Sequence, residues 1–298
     1  MIASLKEINK RLTRLKSTHK ITNTMKLVAI SKIKKMQVRR QMINSYYNEL
    51  IRLASMSGVV PDGSVELARP RKQVSKQIFL LVVTSDRGMC GGYNHILCRH
   101  VGAWVEEKKK QGLKIKAGFY GRKGYMLLRE DSPDGRYFGG LSANPLYANA
   151  VNISTELQNI FREGEYDEIW AAYNTVKGEG IIIPNLTRIL PIDAEEIEKE
   201  FSSKGYKKDE RLLEPSAGEL REIMARQIVD FKIYDILIKN ADGEQSARAV
   251  AMDNATRNVE ELIEKCVLLR NRTRQAVITK ELIEITSGAE VLRSGGLS

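Results

Sequence analysis

The residues of this chain best placed to do chemistry form one glycine-rich stretch, Ser85-Asp86-Arg87-Gly88-Met89-Cys90-Gly91-Gly92-Tyr93-Asn94. It follows an apolar, β-branched run from Gln77 to Thr84 and precedes an amphipathic segment, so it reads as a loop between a buried strand and a helix. Such a turn presents backbone N–H groups that suit a phosphate. The stretch has neither Gly-x-x-x-x-Gly-Lys-Ser/Thr nor Gly-x-Gly-x-x-Gly, and glycines serving a tight strand-to-helix turn explain it as well. Cys90 at a helix start invites comparison with an activated thiol, but of the histidines only His95 is near, and a small buried residue is the simpler reading. Cys90, His95, Cys98 and His100 lack zinc-site spacing, and no Gly-x-Ser-x-Gly elbow occurs. Carboxylate pairs such as Asp167-Glu168 and Glu195-Glu196 lie in polar stretches where solvated surface is the default. We expect no catalytic, cofactor-binding or metal-binding residues.

A second polar group stands near the C-terminus. Arg270, Arg272 and Arg274 alternate there, followed by Gln275, Thr279 and Glu281. On a helix Arg274 and Gln275 lie about a turn from Thr279, with Glu281 beyond. This is either a solvated charged face or a set of contacts that a rod makes and breaks with a surrounding surface.

The elements that carry these residues fall into two classes. Every proline lies between Pro61 and Pro215, and no glycine precedes Gly58, so both ends read as long helices. At 1.5 Å per residue they would run roughly 80 Å and roughly 110 Å. Met252, Ala255, Val259, Leu262, Cys266, Leu269, Thr273 and Ala276 keep the three-four spacing of a coiled-coil seam. Beyond them Ile278, Leu282, Ile285, Ala289 and Leu292 make a rotated stripe, which one partner does not explain. At the other end Leu5, Ile8, Leu12 and Leu15 make one stripe, and Ile21, Met25 and Val28 a displaced one.

Between the rods, periodicity changes class. Helices are expected over about 94–111, 122–130 and 148–163, with strands at Gln77 to Thr84, about 114–120, 167–174 and 180–190. The alternation implies crossover units and a mainly parallel sheet, closed by an antiparallel pair through Lys177-Gly178-Glu179-Gly180. A glycine- and proline-marked break spans 133–145, a short helix is possible at 194–201, and Ser216 with Glu219 has capping-box spacing. The expected fold is a long antiparallel coiled coil of N- and C-terminal helices with an inserted Rossmann-like α/β domain. Its divisions are a helix over 1–57, a linker over 58–75, the α/β domain over 76–191, a connection over 192–215 and a helix over 216–298.

Composition narrows the class. The 298 residues are 42% hydrophobic, enough for a core. The longest purely apolar run, Ile78 to Val83, is too short to cross a bilayer, and the charged N-terminus lacks a signal core. Three cysteines without paired spacing point to a reducing compartment. The net charge is +11, and residues 1–54 alone hold 13 Lys/Arg against 2 Asp/Glu, so that 13 − 2 = +11 and the remainder is near neutral. A helix this basic suits acidic surroundings: an acidic protein surface, anionic lipid or nucleic acid.

Three separated blocks then resemble one family. They are Met1-Ile-Ala-Ser-Leu-Lys-Glu-Ile with His19-Lys-Ile-Thr-Asn-Thr-Met-Lys-Leu-Val-Ala-Ile-Ser-Lys; Thr84-Ser-Asp-Arg-Gly-Met-Cys-Gly-Gly-Tyr-Asn; and Ser246-Ala-Arg-Ala-Val-Ala-Met-Asp-Asn-Ala-Thr with Arg274-Gln-Ala-Val-Ile-Thr-Lys-Glu-Leu-Ile-Glu-Ile. In order and spacing the chain is similar to the gamma subunit of F-type ATP synthases. The resemblance implies a non-catalytic rotor shaft. Its partners would be the alpha and beta subunits of an alpha3-beta3 ring, the epsilon subunit and the c-ring. Nucleotide, Mg²⁺ and the catalytic groups would belong to the ring, leaving this chain without a cofactor. It would be peripheral to the cytoplasmic face of a bacterial inner membrane. Met25 and Lys26 match the family's lever contact, and Arg274, Gln275, Thr279 and Glu281 its upper-shaft contacts. The alternative from charge alone is a basic coiled-coil nucleic-acid binder, which lacks aromatic interleaving or a recognition motif.

Overall fold

A computed structural model describes residues 4–70, 77–130, 132, 134–140, 145–178, 180–203 and 214–294. The expected linker up to Ser75, the turn residue Glu179 and much of the 192–215 connection thus lie partly or wholly outside the described residues. The elements run α1 (Leu5–Met56), β1 (Gln77–Val83), α2 (Tyr93–Lys110), β2 (Lys114–Tyr120), α3 (Arg122–Leu128), β3 (Arg136–Tyr137), α4 (Tyr147–Arg162), β4 (Glu168–Lys177), β5 (Ile181–Leu190), α5 (Ala194–Ser203) and α6 (Ala217–Ser294).

Local chemistry sets the ends of the long helices. At the start of α1 the Ser4 N–H donates to Glu7 Oε2 (3.0 Å) and the Glu7 N–H to Ser4 Oγ (3.3 Å), a reciprocal box. At its end Gly58 takes a φ of 65°, and the Val59 and Gly58 N–H groups return to the Ala54 and Ser55 carbonyls. A β-carbon would be strained in that left-handed position, so glycine closes the helix. Ser216 and Glu219 form the same box at α6, and these hydrogen bonds hold the Glu219 carboxyl below its ordinary range.

The chain divides into two compact units, residues 1–28 with 251–298, and residues 29–250. In the larger unit the strand order is β3-β2-β1-β4-β5; β1 pairs in parallel with β2 and β4, β2 with β3, and β4 antiparallel with β5. The two-residue strand β3 falls inside the stretch read from sequence as a break, because glycine and proline flank a pairing too short to show a period. Alternation along β1 separates two cores. Leu80 and Val82 face α2 and α3 with Leu97, Val101 and Phe119. Phe79, Leu81 and Val83 face the other way, joined by Leu157 and Phe161 of α4, Met36 and Ile43 of α1, and Ile233 and Leu237 of α6. Each fully buried aliphatic side chain of this kind contributes about 2 kcal/mol of transfer free energy.

The smaller unit pairs the first part of α1 with the stretch of α6 from Met252 to Cys266, antiparallel. Cys266 Sγ lies 3.8 Å from the Ile8 carbonyl, His19 Nε2 2.7 Å from Glu260 Oε1, Thr256 Oγ1 2.8 Å from Thr22 Oγ1, and Lys26 Nζ 2.8 Å from Asp253 Oδ1. The register corrects two seams read from sequence. On α1 there is no displaced stripe: Ile21 and Val28 are 59% and 48% exposed. The buried positions Ile8, Thr22, Ala29, Met36, Ile43 and Leu50, with half-buried Leu15, instead keep one seven-residue phase. On α6 Met252, Val259, Cys266 and Thr273 are inward as expected, but their companions are Thr256 and Ile263, one residue later than expected. Leu262 and Leu269 are exposed. Polar residues occupy the seam where it passes His19, Thr22, Lys26 and Thr256, so following apolar residues alone leads off it.

Candidate functional site

The loop after β1 is built by its own polar groups. Ser85, wholly buried, gives its N–H to Asn94 Oδ1 (3.1 Å), and Asn94 Nδ2 donates to Ser85 Oγ (2.8 Å), tying the strand end to the first turn of α2. Asp86 Oδ1 accepts the Arg122 N–H (2.8 Å), and Thr84 Oγ1 accepts the Gly124 N–H (2.8 Å), fixing α3 to the same strand end. Met89 adopts a φ of 63°, the one non-glycine residue described with positive φ, so the turn is over-determined by its surroundings. Cys90 is buried and its thiol is pushed up by that burial, the opposite of what a reactive thiolate needs. His95 and His100 face outward while Cys90 and Cys98 face inward, so these four do not converge; among the described residues no group of three His, Cys, Asp or Glu side chains forms a metal site.

What meets this loop is α6. The Tyr93 hydroxyl, fully buried, lies 2.8 Å from the Asn240 carbonyl, 3.0 Å from Asn240 Oδ1 and 3.3 Å from the Asn174 carbonyl; Asn174 Nδ2 donates to the Tyr93 carbonyl at 2.6 Å. Burial pushes the phenol well above its ordinary range, so it stays a donor. Gly243 lies one turn along, where a β-carbon would come within 2.9 Å of the Tyr93 oxygen. A turn further, the Arg248 guanidinium donates through Nη2 to Glu244 Oε1 (2.6 Å) and to the loop carbonyls of Gly88 (3.2 Å) and Arg87 (3.5 Å). Both partners of this ion pair are buried, at 9% and 5% exposure of the side chains. Burial raises the Glu244 carboxyl above its ordinary range and the adjacent guanidinium pulls it back. The loop thus gives the Arg87 and Gly88 carbonyls to α6, while its buried Ser85 and its Asp86 bind the starts of α2 and α3.

Sequence reasoning did not find Tyr93, Asn174, Asn240, Gly243, Glu244 or Arg248 as a set. The available signal was the spacing Asn240, Gly243/Glu244, Ala247/Arg248, one face of a helix carrying polar residues in place of aliphatic ones.

The residues put forward as partner contacts lie in the smaller unit. Met25 is half-buried, and Lys26 is bound to Asp253, which also takes Arg257 at 2.8 Å. Lys26 and Arg257 together hold the Asp253 carboxyl below its ordinary range. Arg274, Gln275, Thr279 and Glu281 are all exposed within two turns of α6, and Thr279 Oγ1 donates back to the Gln275 carbonyl (2.9 Å). About 30 Å of helix separates Asp253 from Arg274, so these are two places and not one site. From Arg274 to Glu290 every side chain is exposed, including Ile278 (45%), Leu282 (57%) and Ile285 (68%).

An α/β domain inserted between two long helices, with a buried polar contact between its loop and α6 and a helix end that leaves large apolar residues exposed, has the make-up of an assembly subunit. A family model described as ATP synthase matches residues 4–292. The chain is 33% identical over 292 residues to the ATP synthase gamma chain of Geobacter metallireducens, covering 98% of this chain and all of that one. It is 35% identical to the ATP synthase gamma chain of Jannaschia sp., covering 97% of this chain and 99% of that one. The fold matches a chain of the Euglena gracilis mitochondrial ATP synthase at a TM-score of 0.65, with 17% identity and coverage of 99% and 96%. A central-stalk chain of the Tetrahymena thermophila enzyme matches at 0.58, with 21% identity and coverage of 79% and 99%. The chain belongs to the ATP synthase gamma-chain family.

Proposed function

We propose that the chain is the central-stalk rotor shaft of an F-type ATP synthase, a non-catalytic subunit that couples ion flow through the membrane sector to ATP synthesis and hydrolysis in an alpha3-beta3 ring. The observation that carries this reading is the end of α6. A lone helix of this length is marginal in water without a packed face. Here α6 stays helical to Ser294 while Ile278, Leu282 and Ile285 are left 45%, 57% and 68% exposed among the described residues, as suits a helix end completed by a sleeve of other subunits. Arg274, Gln275, Thr279 and Glu281 are the polar contacts to that sleeve, and Met25 and Lys26 a second contact lower on the shaft. The basic N-terminal helix faces acidic ring surfaces, an attraction that salt screens and that rotation can break and remake. The α/β domain sits with the epsilon subunit and the c-ring. No described helix is long and apolar enough to cross a membrane, which suits a subunit held peripherally at the cytoplasmic face of a bacterial inner membrane through its partners.

Co-expression with the cognate alpha and beta subunits tests the reading. A particle with three alpha, three beta and one copy of this chain, active as an ATPase, is the expected result. A chain that stays apart and instead binds nucleic acid with steep salt dependence overturns it. Truncation after Gln275 is expected to weaken proton-driven ATP synthesis while leaving the α/β domain folded.

A further inference from the structure

The packing of α6 against the α/β layers changes character along the helix. From Ala225 to Ala241 its buried side chains are mainly aliphatic, among them Ile228, Val229, Ile233 and Leu237. Such contacts hold the helix to the core without directional preference. From Asn240 onward the character reverses: Asn240, Glu244, Gln245 and Arg248 are each no more than 7% exposed. Asn240 meets the Tyr93 hydroxyl, and Arg248 meets Glu244 and the carbonyls of the loop after β1. Hydrogen bonds to fixed backbone carbonyls depend on angle and tolerate little rotation of the helix about its axis.

Energetics points the same way. A buried ion pair loses most of its Coulombic gain to desolvation, and an apolar pair of the same volume would stabilise the fold at least as well. Burial sets Glu244 against its own charge, in keeping with that cost. What the pair supplies in return is orientation: Arg248 reaches across to carbonyls at the turn that holds Met89 at positive φ. Gly243 keeps α6 close enough for Tyr93 to reach Asn240.

Resting on the rotor reading above, we infer that Tyr93–Asn240 and Glu244–Arg248 form a rotational key, which fixes the azimuth of α6 against the loop after β1 and passes twist from the shaft helix into the α/β domain. These are positioning residues; none touches a reacting group. Without them the aliphatic contacts still hold α6 in place, but the helix turns slightly under load before the domain follows.

Two variants in the assembled complex test this. Glu244→Gln with Arg248→Met removes both charges together, so no buried charge is stranded, and Tyr93→Phe removes one hydroxyl with the packing kept. In membrane vesicles the readouts are subunit content, ATP hydrolysis, ATP-driven proton transport, and amide exchange over residues 86–92. The key predicts unchanged subunit content, exchange in that loop raised about tenfold by the double variant, the size of one lost charge-assisted hydrogen bond, and a ratio of transport to hydrolysis lowered about fivefold. Tyr93→Phe lowers the same ratio by a smaller factor. A ratio at the wild-type value in both variants overturns the key while leaving the rotor reading standing, because the wild-type complex still couples. Loss of the subunit from the complex in both variants overturns it as well, by making these residues determinants of folding alone.

Discussion

The two compact units bury side chains by different means, although α1 and α6 run through both. In the unit of residues 29–250, Leu81 or Phe161 lies between layers and is closed on all sides. In the helical pair, a seam residue such as Ile8 or Leu12 is covered by one partner helix, with Cys266, Ile263 and Val267 opposite. Much of the remaining seam is polar: His19 with Glu260, Thr22 with Thr256, Lys26 with Asp253. One heptad phase on α1 therefore serves two purposes. Apolar residues at its steps make a core, while Thr22 at one step, with His19 and Lys26 flanking it, makes a polar register that holds two helices together weakly and specifically.

The sharpest way to break this comparison is equal truncation in the two units. Leu81→Ala is expected to cost about 4 kcal/mol, because the layers around it cannot collapse into the space. Leu12→Ala in the two-helix seam should cost about 2 kcal/mol, since solvent and the neighbouring helix relax into the gap. Urea unfolding separates them, because both tryptophans, Trp104 and Trp170, pack against the α2 side of the sheet. The Leu81 variant should shift the tryptophan midpoint and the Leu12 variant should leave it in place. A matching shift from Leu12→Ala would mean that the two units unfold as one.

Gly243→Ala comes next. A methyl group 2.9 Å from the Tyr93 oxygen and 3.3 Å from the Asn174 carbonyl must push α6 outward, an overpacking cost of about 2 kcal/mol. The same midpoint measures it, and Tyr93→Phe should not rescue it because Asn174 also blocks the position. Replacing both Thr22 and Thr256 by valine has the opposite sign: it exchanges a satisfied polar rung for an apolar one of the same shape and stabilises the pair by about 1 kcal/mol. Slower amide exchange across residues 15–26 would report it, and faster exchange there would show that the threonine pair holds the register.

These positions also show what the sequence discloses. The rods, the parallel strands, the antiparallel closure and the Ser216–Glu219 box could all be read because each rests on local composition or on a period. The seam of the helical pair could be read only in part, because His19, Thr22, Lys26 and Thr256 are inward for a reason set by the opposite helix, and no single helix carries that information. Tyr93, Asn240 and Arg248 were illegible on the same ground: residues 147 apart in sequence meet at one hydroxyl. The proposed contacts at Arg274, Gln275, Thr279 and Glu281 rest on resemblance, and within this chain they face solvent.

The smallest effect that separates the units is their response to acid. In the helical pair the Asp253 carboxyl titrates below its ordinary 3.8, so its contribution is present above that value and is lost as pH falls through the lowered one. In the larger unit Glu244 titrates above its ordinary 4.5, with burial the main cause, and Asp230 and Asp242 above 3.8 for the same reason. Their contributions are fully present below those ordinary values and are lost as pH rises through the raised ones. Acidification therefore weakens the pair at Asp253 while it relieves the buried carboxylates of α6. Asp253→Asn should flatten the acid response of amide exchange around Lys26, and Lys26→Ala should have only a small effect on that exchange near neutral pH, as befits a solvent-screened ion pair. Glu244→Gln should flatten the response around residues 240–248, with protection in the variant no longer falling as pH rises past the carboxylate range. If the two stretches instead gained or lost protection together between about pH 6 and pH 3, α6 would be responding as a single body, and the division of its labour between a polar seam and a closed core would fail.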